Sequence, residues 1–520
     1  MHSPLIDALR SPDSYPHSVD RVQILETHIS WVLLAGDFAY KIKKPVDFGF
    51  LDFSALDRRR HFCEEEIRLN RRTAPDLYLD VVAVTGSVEN PTIKGPGEPI
   101  EYAVRMRRFD PAQGFDHLLD DGKLELAHAD ALGDALADLH EVAERAPSDS
   151  KWGTPAEVIG PMRDNFTSLT DLLDDRQRKD TLAGLKAWTE QRFSGELALI
   201  RDRRDQGFVR ECHGDVHLGN VTLFRDQTTL FDCIEFSPEL RWTDVLADLA
   251  FVVMDLRERG AEAHAWRLLD RYLARTGDYP GLALLDFYIV YRALVRAKVA
   301  ALGLNEAADR GVAEAILSVI DRHLILCSEV VAEHRPALVL TCGVSGSGKS
   351  FLARSLLAEH GLIRLRSDVE RKRLFGLDEL ERSGSEVGGG LYGSEVTART
   401  YDRLAALADR VTAAGLPVLV DATFLDPAQR QVFADLARSR GIPFGVLVCT
   451  ATERTLRERV GRRSAAASDA SEADLSVLAR QLESFDAPSD GEAEVKVIDT
   501  ESPKSLRQAS QWLKGLLSGP

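Results

Sequence analysis

Between residues 20 and 43 apolar and polar positions alternate, in RVQILETHISWVLLAGDFAYKIKK, and turn residues at Thr27-His28 and Ala35-Gly36-Asp37 interrupt the alternation. A period of two belongs to half-buried strands, so this segment predicts three antiparallel strands. From Ser54 to Thr73 the period becomes helical, and LYLDVVAVTG and IEYAVRMRRF predict two further strands. Charged helical segments cover 124–145 and 155–206, LFRDQTTLFDCIEF (223–236) predicts a hairpin, and the chain reads as helix from Thr243 to about 334. A small sheet with one helix, followed by a mostly helical part broken by one hairpin, predicts a bilobal α+β domain.

At EHRPALVLTCGVSGSGKS the texture changes. Pro336 punctuates, an apolar strand runs into a glycine-rich loop and a helix, and IRLRSD, LPVLVDAT, FGVLVCT and AEVKVID follow as strands separated by helical segments. Strands alternating with helices predict an α/β domain with a parallel sheet. The boundary therefore falls near 335, giving domains 1–335 and 336–520. The segment LERSGSEVGGGLYGSE (380–395) is rich in Gly and Ser and is expected to be a loop able to close over a substrate.

Length and charge narrow the class of protein. A chain of 520 residues holds two to four folding units, each large enough to stand without staples. Lys and Arg number 65 against 82 Asp and Glu, a net charge of −17, and the excess acid lies before Ala337. Such a balance disfavours non-specific binding to nucleic acid or to an anionic membrane. The six cysteines (63, 212, 233, 327, 342, 449) form no CxxC, which fits a reducing cytoplasm better than a disulfide scaffold or a zinc site. The amino-terminal residues have no apolar signal core. The most apolar helical stretch, 284–304, is interrupted by Asp286, Arg292, Arg296 and Lys298, so it predicts a buried helix, not a membrane span.

Two segments carry chemistry. In HGDVHLGN, Asp215 is suited to accept the proton of an attacking hydroxyl, and Asn220 to hold a metal bridging phosphates. Asp232, in TLFDCIEF, supplies a second carboxylate for that metal at the end of the next hairpin strand. Asp244 and Asp248 follow at helical spacing beside apolar residues, which fits a solvated helix face. The second segment, GVSGSGKS, meets the GxxxxGK[ST] pattern between a strand and a helix. Backbone N–H groups of Gly343, Ser345, Gly346, Ser347 and Gly348 are expected to wrap phosphate at the helix N-terminus. Lys349 then reaches the β- and γ-phosphates, and Ser350 ligates Mg²⁺. Asp368 ends the next strand with Arg371 on the same helical face, a base and a cation for phosphoryl transfer. Asp421, in VDATF, is placed for the metal side or the acceptor.

These residues resemble two families. His-Gly-Asp, four residues, then Asn is similar to the aminoglycoside phosphotransferase and choline-kinase branch of the kinase-like superfamily, over roughly 20–335. That resemblance implies that Lys41 pairs with ATP phosphates and with Glu66, and that an Asp such as Asp244 or Asp248 braces the catalytic loop instead of facing solvent. From 336 to 500 the motifs resemble the polynucleotide-kinase, gluconate-kinase and zeta-toxin group. There the arginine run of TERTLRERVGRRS resembles a lid over ATP, with Arg462 and Arg463 as its cofactor contacts; Arg454 and Arg457 fit a solvated helix equally well. The order of the two parts resembles the bacterial bifunctional aminoglycoside phosphotransferase/ATP-binding proteins. The expectation is a cytoplasmic kinase with two Mg-ATP sites acting on hydroxyls of small polar molecules, such as sugars or amino-sugars. Two other readings are a nucleotide-driven switch with a non-catalytic first lobe, and a nucleic-acid end kinase. The near-neutral C-terminal part, without aromatics interleaved in a basic stripe, counts against the last.

Overall fold

The computed structural model describes residues 3–49, 51–306, 309–332, 335–382, 393–466, 470–488 and 492–518. By contacts the chain forms two compact units: Met1–Asp164 with Leu197–Asp255, and Asn165–Glu196 with Leu256–Pro520.

The first unit is built on an antiparallel sheet of six strands: Val22–Glu26, Ser30–Ala35, Phe38–Lys43, Pro99–Arg107, Tyr78–Gly86 and Pro91–Ile93, in that spatial order. Five of them follow the alternation in the sequence. The sixth, Pro91–Ile93, is too short for a period to show. Strand Phe38–Lys43 lies inside the sheet, with Lys41 opposite Val32 on one side and Val104 on the other. Strand alternation turns Tyr40 and Ile42 towards Ile6, Leu9 and Tyr15 on one face. Ala39 faces the other way, into a cluster with Cys63 and Ile67 of helix Leu56–Asn70, and Lys41 and Lys43 point to that same side. Sheet pleat and helix thus bring the lysines to Glu66.

Beyond the sheet come the helix Leu126–Val142 and a hairpin of Val221–Phe224 with Gln227–Leu230, where the sequence predicts one. The predicted helix start at Thr243 falls slightly early. Trp242–Asp244 pairs as a short strand with Val209–Glu211, and the helix begins at Val245.

The second unit holds a parallel sheet of five strands, in the order Ile363–Arg366, Val418–Asp421, Leu338–Cys342, Phe444–Thr450, Glu494–Asp499. These are the five strands read from the sequence. The first three are fully or nearly fully buried, as expected for strands covered on both faces. Val339, Leu419, Leu447 and Ile498 meet Leu352 and Leu356 of helix Lys349–His360 and Leu513 of the C-terminal helix. Trp266 and Ala263, from helix Glu262–Thr276, pack against this core as well. Helices upstream of residue 335 therefore share the second unit with the parallel sheet. Among the described residues no helix is long and apolar enough to cross a membrane, and 284–304 is the buried helix Leu285–Leu302 and its start. All six cysteines are buried, and none forms a disulfide.

Candidate active sites

In the first unit Lys41 Nζ lies 2.9 Å from Glu66 Oε1 and 2.5 Å from Asp232 Oδ1. Lys43, fully buried beneath it, reaches the other oxygen of Glu66 at 2.7 Å and also pairs with Glu235. Glu66 is thus shared by two cations. Burial alone would raise its pKa, but Lys41 and Lys43 outweigh burial and hold it at about 2. Burial likewise opposes the charge on Lys41, yet Asp232 and Glu66 keep that lysine well above its ordinary value. Of the two lysines, Lys41 is the one paired with Asp232, and it is the one the resemblance singled out.

Asp232 takes φ 64°, a left-handed conformation in which few non-glycine residues rest. Tyr78 Oη accepts its N–H at 3.1 Å, and Asn70 Oδ1 accepts that of Cys233 at 2.9 Å, so the surrounding side chains stabilise the turn. The preceding residue ties Asp232 to the HGDVHLGN loop. Phe231 N–H donates to the Asn220 carbonyl at 3.0 Å, while His213 Nε2 lies 2.9 Å from the Phe231 carbonyl. Inside the loop, Asn220 Nδ2 donates to the Asp215 carbonyl at 3.0 Å, and His217 Nε2 lies 3.5 Å from the Asp215 carboxylate.

Asp244 and Asp248 are both buried, so neither is a solvated helix-surface acid, and the bracing role falls to Asp248. Asp248 accepts the N–H groups of His213 (3.0 Å) and Gly214 (2.9 Å). Asp244 receives two 2.7 Å bonds from Arg203. Glu235 escaped the sequence reading because its partner Lys43 is 192 residues away.

In the second unit strand Leu338–Cys342 feeds the GVSGSGKS loop, and helix Lys349–His360 begins at its lysine. Gly343 has φ 133°, and a Cβ there would lie 2.5 Å from the Cys449 carbonyl; at Gly346, φ 82°, one would lie 2.8 Å from the Leu456 carbonyl. The loop closes in this form only because those positions lack side chains. Arg459 Nη1 donates to the Gly346 carbonyl at 3.2 Å and holds the loop from outside. Lys349 folds back on the loop, donating to the Val344 carbonyl at 2.8 Å. Burial pushes its pKa below the ordinary lysine value, although Asp421 acts in the opposite sense.

Lys349, Ser350, Asp368, Arg371, Asp421 and Arg463 line one cavity of about 270 Å³. Arg371 Nη1 lies 3.0 Å from Asp368 Oδ1. Arg463 and Arg462 part company, being about 100° apart around one helix: Arg463 faces the cavity, whereas the Arg462 side chain is 81% exposed and pairs with Glu458. Asp421 ends its strand 5% exposed, and its Oδ2 has no hydrogen-bond partner. A buried carboxylate oxygen without a donor is costly unless a ligand fills it, so Asp421 together with Ser350 fits a divalent cation.

The cavity also holds residues that no motif announces. Gln481, on helix Leu475–Ser484, accepts the Ser345 N–H at 2.7 Å through Oε1, and Arg480 beside it lines the same space. Tyr401 Oη accepts the Phe424 N–H at 3.2 Å, where Phe424 has φ 46°. Gly388, Gly389 and Gly390, in the loop expected to close over substrate, lie outside the described residues.

Two constellations of lysine and carboxylate stand on two unlike folds, and both folds belong to kinase-type domains. The description "Phosphotransferase enzyme family" matches residues 56–285, and an "AAA domain" description matches 338–488. Uncharacterized proteins of Mycobacterium tuberculosis strain H37Rv and of Mycobacterium bovis are each 30% identical over 465 residues, covering 89% of this chain and 91% of theirs. The chain belongs to the family of these proteins, and in it a phosphotransferase domain precedes a P-loop kinase domain. Among solved structures it is similar to a choline/ethanolamine kinase family protein of Mesorhizobium loti, 14% identical over 62% of this chain and 99% of that one, TM-score 0.37. A gluconokinase of Sinorhizobium meliloti is 24% identical over 36% of this chain and 96% of its own, TM-score 0.24.

Proposed function

We propose that each domain, 1–335 and 336–520, transfers the γ-phosphoryl group of Mg-ATP to a hydroxyl of a small polar acceptor of the sugar or amino-sugar kind, in the cytoplasm. In the first domain Asp215 accepts the hydroxyl proton as the acceptor oxygen bonds to phosphorus and the bond to the ADP oxygen breaks. Lys41, held by Glu66, steadies the phosphates, and Asn220 and Asp232 would hold the metal. In the second domain Asp368 takes the proton, Lys349 and Arg371 offset charge on the moving group, Arg463 contacts the nucleotide, and Ser350 and Asp421 would hold the metal. Bound Mg²⁺ would neutralise phosphate charge at each site.

The observation that carries this reading is duplication within one chain. Each site has its own phosphate lysine close to its own carboxylate: Lys41 pairs with Asp232, and Lys349 feels the charge of Asp421. The test is a screen of sugars, amino-sugars, nucleosides and aminoglycosides with wild type, Asp215→Asn and Asp368→Asn, following ADP and phosphorylated product separately. Each substitution is expected to cost about 10²-fold or more in one activity and to spare the other. Loss of both activities from either substitution, with folding and nucleotide binding intact, contradicts two independent sites.

A further inference from the structure

Arg364 lies on strand Ile363–Arg366 with its guanidinium buried behind the P-loop cavity. Its Nε and Nη2 donate to the two oxygens of Asp270, at 3.1 and 2.7 Å. Its remaining nitrogen, Nη1, stands 3.9 Å from Asp421 Oδ2, the oxygen that has no hydrogen-bond partner. Asp270 is on helix Glu262–Thr276, inside the stretch that matches the phosphotransferase family and before the P-loop in the chain. Three buried charges, negative, positive and negative, therefore run from that helix to the metal side of the P-loop site.

The geometry has a direct electrostatic meaning. A guanidinium engaged on both its Nε and Nη2 edges is fixed in orientation and largely neutralised by its partner. Released, Arg364 would need to move only about an ångström to make a close ion pair with Asp421, and in a buried setting that pair would compete with any cation for the same oxygen. We propose that Asp270 is a positioning residue for the P-loop site: by clamping Arg364 it keeps the Asp421 carboxylate oriented and available to the metal of the bound nucleotide. This rests on the assignment of Asp421 to the metal side made above.

The test needs no acceptor. The full chain carrying Lys41→Ala, to silence the first site, is titrated with a fluorescent ATP analogue at a series of free Mg²⁺ concentrations. Asp270→Asn is expected to raise the Mg²⁺ needed for half-saturation about tenfold, equivalent to ~1.4 kcal/mol. The double variant Asp270→Asn/Arg364→Gln, which removes both charges, is expected to return it to within about twofold of the parent. A merely structural role predicts a lower melting temperature and an unchanged Mg²⁺ requirement, and that result overturns the proposal. Should Asp270→Asn not fold, Asp270→Glu decides the matter, because it keeps the charge and pushes the guanidinium towards Asp421; an unchanged Mg²⁺ requirement again overturns it. Asp421→Asn separates the two assignments. If it leaves the Mg²⁺ requirement unchanged, the metal assignment fails and the proposal falls with it; if it raises the requirement while the Asp270 variants do not, the proposal alone fails.

Discussion

Glu66 concentrates the electrostatics of the first site on one side chain. It is wholly buried, and Lys41 and Lys43 more than offset the cost of burial, so it stays ionised to about pH 2. A carboxylate held below its unfolded value adds stability that is fully present above about pH 4.5 and is lost as pH falls towards the folded value. Glu66→Gln is therefore expected to destabilise the sheet by about 3 kcal/mol at pH 7, through two buried cations left underpaired. The deficit should shrink steadily below pH 4.5. Hydrogen exchange of the Phe38–Lys43 amides in wild type and variant measures it, and a deficit that does not change between pH 7 and pH 3 argues against the pairing. At this scale the sequence disclosed residues whose chemistry sits in a short run, such as Asp215 with Asn220 or Lys349 with Ser350. It was silent on Glu235, Gln481 and Asp270, whose partners are 192, 136 and 94 residues distant. No local period records such a pairing.

Among the elements, helix Leu475–Ser484 has the most consequential placement. Leu478 packs with Val344, Leu456 and Val460, so the helix is seated on the phosphate loop, and Gln481 reaches the Ser345 N–H. That N–H is one of the donors a phosphate would use. Gln481→Ala is thus expected to tighten ATP-analogue binding to the second site about fivefold, the value of one ordinary hydrogen bond of ~1 kcal/mol. Weaker binding in a fluorescence titration would mean that the amide contacts nucleotide instead of competing with it. The elements themselves were legible wherever the apolar period ran for several residues, as in all five strands of the parallel sheet. Strands Pro91–Ile93, Val209–Glu211 and Trp242–Asp244 span three residues each, too few for alternation to rise above noise.

At the scale of the whole molecule, chain order and packing group the helices differently. The family matches meet between 285 and 338, yet Trp266 and Ala263 join the core of the parallel sheet and Asp270 neutralises Arg364. A fragment 336–520 loses both. An unpaired buried guanidinium alone costs about 3 kcal/mol, which at roughly 2–4 °C per kcal/mol corresponds to a melting temperature about 10 °C lower. Calorimetry of the fragment against the P-loop transition of the full chain checks this, and equal melting temperatures would show that the upstream helices contribute nothing to that unit.

The central claim is that one chain carries two separate nucleotide sites, and counting bound nucleotide tests it most directly. Isothermal titration of the full chain with a non-hydrolysable ATP analogue and Mg²⁺ is expected to give two equivalents per chain for wild type, one for Lys41→Ala and one for Lys349→Ala. A single equivalent in wild type, or loss of both from either substitution in a chain that still folds, would contradict the account.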